Sequence, residues 1–97
     1  MVQINWTNRA KEDLKNIAAF ISRDSIYYAE KQVQKFYDAV EVLHQYPDIG
    51  HPVSEYNLLQ LRQILCGKYR IIYSIINESR VDILTVHHSA RLLNFES

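Results

Sequence analysis

A chain of 97 residues with 47% hydrophobic and 23% charged side chains is long enough for one domain that buries about two thirds of its unfolded surface, and too short for two. Eleven basic residues balance eleven acidic ones, which argues against strong non-specific attraction to a polyanion. Cys66 is the single cysteine, so an intramolecular disulfide is excluded as well and a reducing compartment fits.

Val2, Ile4 and Trp6 alternate with Gln3 and Asn5, the period of a half-buried strand. Thr7 or Asn8 then caps a helix, and Ala10, Leu14, Ile17 and Ile21 draw one apolar stripe along it. Glu12 and Asp13 stand near its positive end. Asp24 or Ser25 restarts a second helix with the stripe Ala29, Val33, Phe36, Val40 and Leu43. A short connection makes the two an antiparallel helical hairpin. Pro47 ends the second helix, and Pro47 to Pro52 reads as a linker that continues neither kind of ladder.

Leu58 to Leu65 reads as a strand carrying Arg62, turning at Gly67-Lys68. The next stretch, Lys68 to Arg91, is a hairpin: two runs of aliphatic and β-branched residues flank the turn Asn77-Glu78-Ser79. Period two places Arg70 on one face with Ile72, Ser74 and Ile76; if that face is covered the arginine needs a partner, and otherwise it reaches water from near the strand end. The order is β-α-α-β-β-β, an α+β chain in which the helical hairpin covers one face of a small antiparallel sheet and leaves the other free for partners.

His87, His88 and Arg91 cluster after the last strand. With Arg70 and Arg62 they outline a small site for a phosphate or carboxylate, histidine being suited to proton transfer near neutral pH. Adjacent strand residues face opposite ways, so His87 and His88 serve one site only if the strand has broken there. The four histidines (44, 51, 87 and 88) lack ligand-pair spacing for a metal, and there is no Gly-rich phosphate loop. No cofactor is expected. Charge is uneven: residues 1–57 hold six Lys/Arg against eight Asp/Glu, and residues 58–97 five against three, which puts the basic surface on the sheet. The N-terminal MVQINWTNRAKED has no export pattern and no run is long enough for a membrane helix, so a cytoplasmic protein is expected.

The phrases YRIIY (69–73) and VHHSAR (86–91), with Trp6-Thr7, Ala10, Asp13-Leu14, and Gly50 with Pro52, resemble the RelE/ParE superfamily of bacterial toxins from type II toxin-antitoxin pairs. The resemblance covers nearly the whole chain, residues 1–97, as one toxin domain. It implies a cognate antitoxin as partner, in a homodimer or a heterotetramer with the antitoxin. It also implies one of two targets. In the ribosome-dependent mRNA endonucleases of the superfamily, Arg70 matches the arginine of the central strand and Arg91 the one after the last strand, both stabilising charge at a scissile phosphate, with His88 or His87 as acid or base. Phe95 falls where those enzymes carry a proton-transferring tyrosine, however, and Ser89 where they carry a basic residue. In the ParE branch, whose members poison DNA gyrase, the last strand ends in a histidine followed by an arginine, as His88 and Arg91 do. The balanced charge fits that branch, and the expected function is gyrase inhibition through protein–protein contact. A domain that binds its antitoxin without toxicity is the third expectation.

Overall fold

In the computed structural model, which describes residues 1–89, the chain runs β1 (Gln3–Trp6), α1 (Asn8–Ser22), α2 (Ile26–Glu41), a single 3₁₀ turn (Val42–His44), β2 (His51–Pro52), β3 (Leu61–Cys66), β4 (Tyr69–Asn77) and β5 (Arg80–His88). The five strands form one sheet in the order β1-β5-β4-β3-β2. Each helix starts on a hydroxyl cap. Thr7 Oγ1 accepts the Ala10 amide at 3.2 Å and Ser25 Oγ the Tyr28 amide at 3.2 Å, satisfying donors that the first turn leaves without partners.

The α+β class and the helical hairpin on one sheet face are as expected, with α1 lying on β5 and α2 on β3. Between helices and sheet sits the main core, in which Leu14, Phe36, Val40 and Leu43 meet Ile71, Tyr73, Val81 and Ile83. The sheet itself departs from expectation in two ways. It is mixed, not antiparallel, because β1 enters beside β5 and pairs with it in parallel, Gln3 opposite Arg80 and Trp6 opposite Ile83. The expected linker also contributes a fifth strand, since His51 and Pro52 pair with Gln63 and Arg62. Proline lacks an N–H but is accommodated on an edge strand whose amide side is not needed.

The sheet face turned away from the helices is not left bare either. Residues 53–60 cross it as a strap, and Val53 with Leu61 and Ile72 forms a second small core flanked by Tyr56 and Leu84. Two glycines set the path. Gly67, at φ 59°, makes the two-residue turn between β3 and β4 that a side chain would strain. Gly50 donates its N–H to Tyr73 Oη at 2.9 Å, and a Cβ there would lie 2.5 Å from that oxygen. Between β4 and β5 the register slips: Tyr73 faces Ile83 while Ile72 faces Thr85, leaving Leu84 without an opposite residue.

Candidate functional site

Arg70 lies on the central strand β4, on the strap side of the sheet with Ile72, as period two requires. It is 7% exposed. Its Nη1 and Nη2 donate to the two carboxylate oxygens of Glu55 at 2.7 and 2.8 Å, and its Nε donates to Gln63 Oε1 at 2.6 Å. This is a two-pronged fork with the third donor held from the side. The bond to Glu55 outweighs the cost of burial and raises the already high arginine pKa further, so the charge is permanent. Glu55 gives no signal in the sequence: it stands in the strap, fifteen residues from Arg70, where no periodicity links the two.

Arg62 does not join it. Pairing with Tyr73 puts Arg62 on the helix side of the sheet, where its Nη1 donates to the carbonyls of Asp48 at 3.2 Å and Gly50 at 3.0 Å. Two of the three arginines foreseen for one site are therefore on opposite faces. Each uses its donors to fasten the segment between α2 and β3. Arg91 and Phe95 lie outside the described residues.

The two histidines end β5 and face different neighbours. His87 pairs with Arg70 and His88 with Tyr69, so His87 shares the side of the fork. The His88 ring meets Tyr69 edge-on at 5.6 Å, and Tyr69 meets Phe36 at 5.2 Å. A cavity of about 360 Å³ at this end of the sheet is nevertheless bordered by both histidines, together with Asp13, Asn16, Tyr69 and Val86. Asp13 is fixed at its edge, accepting the Val86 amide at 3.0 Å and the Thr85 hydroxyl. The cavity thus unites two imidazoles, a carboxylate and a phenol, groups able to hold and move a proton. Ser89 is exposed and donates its amide to the Lys68 carbonyl at 2.8 Å. A second, apolar cavity of about 470 Å³ lies under the other end of the strap, between Tyr56, Leu58, Leu61 and Leu84.

The model of the family described as "ParE toxin of type II toxin-antitoxin system, parDE" matches residues 4–93. The chain belongs to the ParE toxin family. Among relatives of this ParE-family toxin, the putative toxin Y4kP of Sinorhizobium fredii is 36% identical over 89 residues, spanning 90% of this chain and 88% of that one. Toxin RelE2 of Caulobacter vibrioides is 28% identical over 92 residues, 95% of this chain and all of the relative. The fold matches a chain of the chromosomal ParDE system from P. aeruginosa with a TM-score of 0.74 at 20% identity, over 91% and 96% of the two chains. The ParE-family chain is accordingly a toxin of the RelE/ParE superfamily. Among its described residues no helix is long and apolar enough to cross a membrane.

Proposed function

We propose that this toxin acts by protein–protein contact on DNA gyrase and is neutralised by a cognate antitoxin. The observation that carries the reading is the state of Arg70. The arginine that the superfamily's endonucleases direct at a scissile phosphate is here 7% exposed, with its fork on Glu55 and its Nε on Gln63. The balance of eleven basic and eleven acidic residues supports the same reading, since a ribosome-bound mRNA is approached through counterion release at phosphates. The ParE family match, and the likeness to a chain of a ParDE system, support an antitoxin partner. Purified protein added to a gyrase supercoiling assay is expected to inhibit it and to leave mRNA on translating ribosomes intact. Codon-positioned mRNA cuts with undisturbed supercoiling overturn the proposal.

One observation favours the second reading, an mRNA endonuclease. The cavity that gathers Asp13, Tyr69, His87 and His88 is furnished for acid–base chemistry. If mRNA cutting is found, His88→Ala and His87→Ala should lower it by about a hundredfold or more, the usual size of a general acid or base contribution.

A further inference from the structure

The Arg70 fork is held from the side as well as by the carboxylate that fills it. Gln63, on the neighbouring strand β3, accepts the Nε–H at 2.6 Å and so orients the guanidinium from the side, while Nη1 and Nη2 present two parallel donors to whatever carboxylate stands in front. That carboxylate, Glu55, belongs to the strap and not to the sheet, and its side chain is more exposed than that of Arg70, 22% against 9%. The strap has a buried end and an exposed end, the latter tied to β4 by the Ile75 amide on the Gln60 carbonyl at 2.9 Å. Val53 is 1% exposed and packs on Ile72, whereas Leu58 and Leu59 stand 49% and 88% exposed. Under that exposed end lies the mainly apolar cavity walled by Tyr56, Leu58, Leu61 and Leu84, with Arg9 also on its wall.

We propose that Arg70 and Gln63 form a carboxylate-recognition site which Glu55 occupies in the free protein and which an acidic side chain of a protein partner takes by exchange. Swapping one carboxylate for another keeps both charge-assisted bonds to Arg70, so the exchange forfeits only the contacts Glu55 makes elsewhere, the Ser54 hydroxyl at 3.2 Å among them. It releases the strap, and an apolar side chain next to the partner's acidic one then enters the cavity beneath it. A protein carboxylate suits the site better than a nucleic-acid phosphate. The fork already accommodates a planar pair of oxygens, and a chain with eleven charges of each sign exerts no long-range pull on a polyanion. The inference goes beyond the choice of gyrase or ribosome and stands under either.

The probes are the blocked tripeptide acetyl-Leu-Glu-Leu-amide, its Leu-Gln-Leu counterpart and inorganic phosphate, each titrated into the wild-type protein, Glu55→Gln and Glu55→Ala while the Arg70 Nε–H resonance is followed by NMR. The Leu-Glu-Leu peptide is expected to shift that resonance in both variants at least about tenfold more tightly than in the wild type, a difference of about 1.4 kcal/mol. The Leu-Gln-Leu peptide should leave it unmoved. Equal binding to all three proteins, an unresponsive Arg70 at millimolar peptide, or binding of the glutamine peptide as tight as the glutamate one overturns the proposal. Phosphate binding tighter than the peptide overturns the choice of a protein partner. Loss of folding in both variants makes the ion pair a requirement of the fold and overturns exchange. Supercoiling inhibition is read separately, so failure of the peptide to bind leaves the target assignment where it stood, whereas tight phosphate binding at Arg70 removes the observation that carries that assignment.

Discussion

Arg70 carries a full charge in the middle of a sheet, and the cost of that position is met by Glu55 and Gln63 together. Removing one partner of such a pair leaves the other charge without compensation. Arg70→Ala is therefore expected to lose about 2–4 kcal/mol in urea unfolding, and Glu55→Ala somewhat less because that carboxylate can turn to water. In a double-mutant cycle the two should couple by about 1–3 kcal/mol; additive losses would show that the fork contributes nothing as a pair. Gly50 is the second sensitive position. Its missing Cβ would meet Tyr73 Oη at 2.5 Å and the Gln63 carbonyl at 2.7 Å, so Gly50→Ala should cost about 1–3 kcal/mol in the same assay, as overpacked sites do. The place of Arg70 in an aliphatic run left two readings open, a tip reaching water from the strand end or a covered charge in need of a partner, and the structure shows the second. Its partner was not, because a strap of irregular backbone has no period from which to place Glu55.

Among the elements, α1 and β5 are joined by polar bonds as well as by packing. Thr7, the cap of α1, donates its hydroxyl to the Ile83 carbonyl at 2.7 Å, and Asp13 accepts from Thr85 and from the Val86 amide. Asp13→Ala leaves that amide and hydroxyl without acceptors and should destabilise by about 1–3 kcal/mol. The Val86 amide should then exchange with solvent at least about tenfold faster, since 1.4 kcal/mol is one decade. Tyr73 joins the segment before β2 to β4. Burial raises its hydroxyl pKa, against the opposing effect of the Gly50 N–H, so the folded state favours the neutral phenol. That contribution is complete below the ordinary tyrosine value near 10 and is lost as the pH rises above it through the higher folded value. Wild-type stability should accordingly fall with a steeper alkaline slope than that of Tyr73→Phe, measured from pH 9 upward. Helix stripes could be read directly from spacing, and each cap to within two adjacent residues, of which Thr7 and Ser25 proved to be the caps. Strand β2 could not, because Pro52 signals a break everywhere except at a sheet edge, and the unpaired Leu84 could not, because strict alternation hides a register slip.

At the scale of the whole molecule, the balance of charges makes a prediction that no single residue does. A protein that neutralises six to ten phosphates loses about 10³–10⁵ in affinity between 50 and 200 mM salt. Inhibition of supercoiling by this chain should weaken by less than about tenfold over the same range, and a steep slope would move the target toward nucleic acid. The direction of β1, by contrast, was beyond what spacing could tell: alternation identifies a strand but not its neighbour, and only the closed sheet shows that Trp6 stands opposite Ile83. The pairing of the first strand with the last has a consequence for synthesis. Gln3 opposes Arg80 in the ladder, so the emerging polypeptide holds its first strand without a partner until β5 has left the ribosome. Until then β4 is an open edge, and the helical hairpin has only part of its platform. Assembly of the sheet must wait until β5 has been synthesised, as expected where contacts join distant parts of a chain. A translation product cut short before β5 would lack the strand that joins β1 to β4, and its helical hairpin would have no finished sheet to cover.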